Sequence, residues 1–152
     1  MMPTFFPEST FVLNLVVAAL LGALLGLERS LAGKHAGMRT YALVSLGSCL
    51  FVITGTLASF ELQSFAGINP LQIAGSIAIG IGFIGSGLAI MGGPKQEITT
   101  AAGIWIAAAV GMASGYGLYL LALATSILTI VVFSLLSRLE GWIRGRFGTE
   151  VE

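Results

Sequence analysis

The sequence predicts an all-α membrane protein, a five-transmembrane-helix bundle with its N-terminus outside and its C-terminus cytoplasmic. Three observations carry that expectation. Of 152 residues, 56% are hydrophobic and 9% charged, against about 25% charged in a soluble domain, and mean hydropathy is +0.97. The apolar residues form runs near the length of about 20 residues that a helix needs to cross hydrocarbon. The charges fall between the runs. One gap, residues 26–40, holds Glu28, Arg29, Lys34, His35 and Arg39 between stretches whose only titratable groups are Tyr41 and Cys49. Such a cluster reads as a loop at the membrane surface and sets the direction of the chain.

The first span is expected at residues 11–27, interrupted by Asn14, with Ser9 or Thr10 as a hydroxyl N-cap. The N-terminus lacks the basic n-region of a signal peptide, so this run is expected to be retained as a helix. The second span covers 38–60, and the third 71–91, directly after Asn69-Pro70. The fourth, 98–114, is less apolar and rich in Ala and Gly, which suits a helix shielded inside a bundle; Thr99 or Thr100 can cap it. Gly115-Tyr116-Gly117 turns the chain into the fifth span, 118–137. Residues 1–137 thus form one transmembrane domain, and 138–152 a short interfacial cytoplasmic tail. In that tail Trp142 and Phe147 suit the headgroup zone and the arginines reach anionic lipid.

Loop charge gives the topology, because Lys and Arg near span ends accumulate on the cytoplasmic side. Arg29, Lys34 and Arg39 follow span one, Lys95 follows span three, and Arg138, Arg144 and Arg146 follow span five. A five-span threading places all seven on one side. Dropping the fourth span would set the last three against the first.

Lipid is as apolar as Leu, so helices associate through close packing of small residues. Ala18, Gly22 and Gly26 recur at four-residue spacing in span one, Ala78, Gly82 and Ser86 in span three, and Gly103, Ala107, Gly111 and Gly115 in span four. These stripes, with Gly80, Gly85 and Gly87, predict a packed centre of spans one, three and four and a lipid-facing span five. Packing within the bundle is the first reading of these stripes; a homo-oligomer seam, a dimer above all, is the second. Gly80-Ile-Gly82-Phe-Ile-Gly85 spells the dinucleotide fingerprint G-x-G-x-x-G, but that motif needs a strand before it and a helix opening at it, and here it lies within an apolar span.

Chemistry-bearing residues are sparse. The chain has no Asp, and its seven Glu all lie at or beyond span ends. Mg²⁺ is usually held through one or two carboxylates, and ionisable groups inside the bilayer mark ion paths, so a carboxylate-lined cation route through one chain is not expected. No second His or Cys and no base beside a Ser supports catalysis, so no enzyme activity and no cofactor are expected. The balanced charge gives nucleic acid no handle. Cys49 reads as a packed core residue and His35 as a solvated loop residue. Polar groups converge on one rim: Glu28, Arg29, Arg39, Thr40, Lys95, Glu97, Thr99 and Thr100. They read either as an ion-pair lock between loops or as a surface for a membrane protein partner or an ion. Glu28 and Glu97 are weak candidates for a metal such as Mg²⁺.

At these residues a family resemblance enters. Gly22-x-x-x-Gly26-x-Glu28-Arg29 with Ala36-Gly-Met-Arg-Thr40 resembles the first signature of the MgtC/SapB family of bacterial inner-membrane proteins. Gly80-Ile-Gly-Phe-Ile-Gly-Ser-Gly87 resembles its third-span signature, and Thr99-Thr-Ala-Ala102 with Trp105, Gly111 and Gly115 its fourth. Together they cover about residues 21–119 in the family's order. The resemblance implies adaptation to low magnesium through binding of membrane partners, the ATP synthase having been proposed, and in some members survival inside host cells. The chain departs from the family in having Ser76-Ile-Ala-Ile79 before the glycine-rich run and Lys95-Gln-Glu97 before the Thr pair. The rival reading is a transporter or channel for Mg²⁺ or another small solute.

Overall fold

A computed structural model of the protein describes residues 8–61, 69–91 and 98–147. The described chain is helical: α1 is Glu8–Leu31, α2 Met38–Glu61, α3 Pro70–Met91, α4 Ile98–Gly115 and α5 Tyr119–Val131. A π-helical turn, Val132–Leu136, then leads without a break into α6, Ser137–Phe147. Five helical stretches are long and apolar enough to span a membrane, the last running from Tyr119 to Arg146.

The helix ends follow from local chemistry. Gly33 and Gly117 are the two described residues with positive φ, at 68° and 74°. Each follows a helix as the residue that reverses it. Lys34 N donates to the Arg29 carbonyl and Gly33 N to that of Ser30, while Leu118 N donates to Ala113 and Gly117 N to Ser114. This paired pattern is the Schellman motif, which needs a left-handed residue and so favours Gly. At the start of α3 the Asn69 side chain accepts from Leu71 N at 2.9 Å, with Pro70 in the first helical position, where its missing N–H is no loss.

Several edges differ from expectation. α1 begins at Glu8, so Ser9 and Thr10 lie inside its first turn rather than capping it. It also runs to Leu31, so Glu28 and Arg29 are helical, and the polar loop shrinks to residues 32–37. Span five does not stop at Ser137, because nothing in Arg138–Phe147 breaks a helix before the chain has made another three turns.

The packed centre is α1, α2 and α4, not α1, α3 and α4. Tyr41, Ser45, Cys49 and Val52 recur along one face of α2 and are fully buried. They meet Leu25 and Ala18 of α1 and Ile104, Ala107 and Val110 of α4, which is the most enclosed helix. α3 rests on α4 and α2 from outside, and none of its described side chains is buried. α5 is mostly exposed, yet it sinks Ala122 and Ser126 against the bundle, and the π-helical turn after it sinks Phe133. Glycines explain the difference. A Cβ on Gly22 would sit 2.7 Å from the Tyr41 carbonyl oxygen, one on Gly26 2.6 Å from Met38 Cα, and one on Gly115 2.9 Å from Val52. Gly111 meets the Ser45 backbone and Gly103 meets Tyr41 and Phe133 more closely still. Beside Gly80, Gly82 and Gly87 lies open space, and Gly85 makes only ordinary contact with Ala101. The glycine-rich run is therefore an uninterrupted stretch of α3, without the strand-to-helix turn of a nucleotide fingerprint.

Several hydroxyls inside the spans are satisfied within their own helices. Thr56 donates to Val52, Ser114 to Val110 and Ser126 to Ala122, each four residues back. Lipid offers no partner, so internal pairing is what lets these residues stay.

Candidate functional site

The charged rim is built where α1 ends, α2 and α4 begin, and the π-helical turn passes. Arg29 faces inward from the last turn of α1 and is only 5% exposed. A cation in that turn is favoured by the helix dipole. Its Nε donates to the Glu28 carboxylate, and its guanidinium lies 3.9 Å from the centroid of the Phe133 ring. A buried charge is tolerable only when paired, and the aromatic face supplies a second attraction to the cation. Phe133 in turn abuts Gly103 of α4, where Tyr41 of α2 also arrives. The Tyr41 hydroxyl donates to the Thr100 carbonyl at 3.0 Å. Beneath the loop, Ser30 Oγ accepts from Met38 N at 3.0 Å and so joins α1 to the start of α2.

Thus α1, α2, α4 and the π-helical turn meet at one knot: Glu28, Arg29, Tyr41, Thr100, Gly103 and Phe133. Of the rim residues expected from sequence, the structure gathers Glu28, Arg29 and Thr100. Thr40 is half-buried, and Arg39 and Thr99 are exposed at the periphery. Lys95 and Glu97 lie outside the described residues. Thr99 and Thr100 fall inside the first turn of α4, which opens at Ile98. The Thr100 hydroxyl is buried without a hydrogen-bond partner, as is that of Ser45, so Thr100 does not cap the helix. Among the described residues no three His, Cys, Asp or Glu side chains come together to hold a metal. His35 is exposed in the loop, and Cys49 is buried in the core as expected.

Tyr41 and Phe133 were not among the expected rim residues. Tyr41 carried a signal, since a phenol in an apolar span needs a partner for its hydroxyl. Phe133 carried none, because nothing in Val-Val-Phe-Ser-Leu announces a π turn. At the opposite end a second polar knot stands out. Asn14 Nδ2 donates to the Gly115 carbonyl at 3.2 Å, and its Oδ1 accepts from the Tyr119 hydroxyl. The Schellman bonds occupy the carbonyls of Ala113 and Ser114, and Asn14 supplies the donor for Gly115. That end borders a cavity of about 180 Å³ reaching Thr10, Thr56 and Tyr116. A wider apolar cleft of about 590 Å³ separates α2 from α3, lined by Leu43, Gly47, Phe51, Ile73 and Gly80 among others.

The geometry defines a class: a multi-pass helical membrane protein with a glycine-packed centre and, among the described residues, a single part-buried ion pair at one rim. The chain matches the MgtC family over residues 15–142, and it belongs to that family. It is 39% identical to Protein SrpB of Synechococcus elongatus, across 92% of this chain and 85% of that protein. It is 36% identical to the putative magnesium transporter YhiD of Escherichia coli K12, across 85% of this chain and 61% of YhiD. It is 37% identical to Protein MgtC of Salmonella typhimurium, across 79% of this chain and 49% of MgtC. The chain therefore spans about half to three-fifths of the length of the last two. No solved structure matches it.

Proposed function

We propose that this chain serves magnesium homeostasis in the bacterial inner membrane by binding membrane protein partners, and that it is neither an enzyme nor a carrier. The N-terminus lies outside and the C-terminus in the cytoplasm, which sets all seven Lys and Arg on the inner side. The chain acts as a homo-oligomer, with a dimer favoured. Membership of the MgtC family and a relative named as a putative magnesium transporter support the link to magnesium.

The observation that carries the binding reading is the closed seam between α1, α2 and α4. Gly22, Gly26, Gly111 and Gly115 bring backbone against neighbouring helix with no room for even a methyl group. A hydrated cation is far larger than a methyl group. Its passage through one chain would have to part these helices, and no carboxylate along the seam would reward it. The exposed rim residues Arg39 and Thr99, by contrast, are presented to anything that docks beside the Arg29 knot.

A second reading, transport between copies, is favoured by the relative YhiD, a putative magnesium transporter. Purified protein in liposomes with an internal Mg²⁺ indicator separates the two. The binding reading expects flux no greater than in empty vesicles. Saturable flux that Glu28→Gln abolishes would replace it with transport.

A further inference from the structure

We propose that α6 is a charge-selective lipid-binding arm, which docks on the headgroups of anionic phospholipid and holds its helical form there. The proposal rests on the membrane placement of the spans and not on the partner reading.

Length comes first. The apolar helix from Tyr119 to Arg146 has 28 residues, or about 42 Å at 1.5 Å per residue. Hydrocarbon is about 30 Å thick. A tilt of about 20° shortens the projection by only about 3 Å, so the last two turns or so extend into the headgroup layer.

Those turns carry the matching chemistry. Arg138, Arg144 and Arg146 face one acid, Glu140, over Ser137–Phe147. Leu139, Trp142 and Ile143 share one side by helical spacing, and Trp142 is 57% exposed. Arg146 lies 5.4 Å over the Trp142 ring, so cation and indole form one amphipathic unit of the kind that sits at a membrane interface. Anionic headgroups complement the arginines, while the apolar side reaches the acyl boundary.

Stability gives the second line. Among the described residues α6 packs chiefly against the π-helical turn before it, and its described side chains are all exposed. It contains Gly141 and Gly145, neither with a neighbour within 4 Å. α6 extends a helix that α5 already nucleates, so it does not stand alone as 11 residues, but its end is free to fray. Glycine weakens it further. The Leu139–Trp142–Ile143 side is left exposed by the bundle, and the chemistry of α6 selects an anionic membrane surface to cover it.

The test uses the full chain in nanodiscs of phosphatidylcholine alone and of equal parts phosphatidylcholine and phosphatidylglycerol. Amide exchange over residues 137–147 reads the helix. In a Trp105→Phe background, quenching of Trp142 by brominated lipid reads docking. Protection and quenching are expected to rise with phosphatidylglycerol and to fall as salt screens the headgroups. Each arginine near such a surface is worth about fivefold, so Arg144→Gln with Arg146→Gln should weaken docking about 25-fold. Equal protection in both lipids, or protection that survives the double substitution unchanged, would overturn the proposal. The substituted residues are exposed, so the bundle itself stays folded and serves as the internal control for exchange.

Discussion

Glycines of one helix type do two different things in this chain. Gly111 has the Ser45 backbone where a Cβ would go, whereas Gly82 has open space. Gly111→Ala gains the intrinsic advantage of alanine, about 1 kcal/mol, but pushes backbone from backbone. Overpacking of that kind costs about 1–3 kcal/mol, and here no side chain can rotate away. Thermal unfolding in detergent, followed by circular dichroism, should show Gly111→Ala less stable than wild type and Gly82→Ala equal or more stable. A loss at Gly82 would place another helix on the α3 face, as a seam between copies requires. Arg29 offers a second test. Arg29→Met leaves the partly exposed Glu28 carboxylate without its cation and should cost about 1–3 kcal/mol. Arg29→Lys keeps the charge but loses the planar stacking on Phe133, so its melting temperature should fall between the two. Adding Glu28→Gln to Arg29→Met should recover part of the loss if the pair acts as a lock.

At the scale of elements, the end of α4 shows how one distant side chain completes a cap. The turn satisfies the carbonyls of Ala113 and Ser114 through Gly117 and Leu118. The Gly115 carbonyl is left to Asn14, 101 residues away. Asn14→Leu should cost about 1–3 kcal/mol, the range for leaving a buried partner unsatisfied. Tyr119→Phe should cost less alone, and in a double-mutant cycle the two losses should not add, because both break one network. Additive losses would show that the two bonds act separately. The five spans, the Asn69-Pro70 start and the Gly117 turn were legible in the sequence, since each follows from local composition. The identity of the central helices was not. Stripes of Gly and Ala in α3 and α4 look alike on paper, and what decides between them is which backbone stands opposite. Tyr41, Ser45, Cys49 and Val52 did spell a recurring inward face on α2, a quieter signal than the glycines and one they masked. At the rim, Glu28 and Arg29 were legible as a pair, while the Phe133 contact was hidden because it depends on the π turn.

For the whole molecule, the alternation of the helices can be tested against the charge pattern. α1 carries the chain from the Asn14 knot to the Arg29 knot, and α4 carries it from Thr100 back to Gly115, which bonds Asn14. Lys34 and Leu118 therefore lie at opposite ends of the bundle, and both are exposed. Helices of 18 to 24 residues for α1 to α4 are about 27–36 Å long at 1.5 Å per residue, so each comes close to or exceeds the hydrocarbon thickness of about 30 Å and the described turns lie at the membrane surface. In a Cys49→Ala background, single cysteines at Lys34 and Leu118 should be reached by a membrane-impermeant maleimide from opposite sides. With the basic residues held inside, Leu118→Cys labels in intact spheroplasts and Lys34→Cys labels only after the membrane is opened. Reversed labelling would keep the five spans and invert the orientation, which would carry the Arg29 knot and α6 to the outer face. Labelling from one side at both positions would mean that the chain does not cross between them an odd number of times. The Asn14–Gly115 bond makes that outcome incompatible with the fold, because it holds the start of α1 and the end of α4 at the same depth.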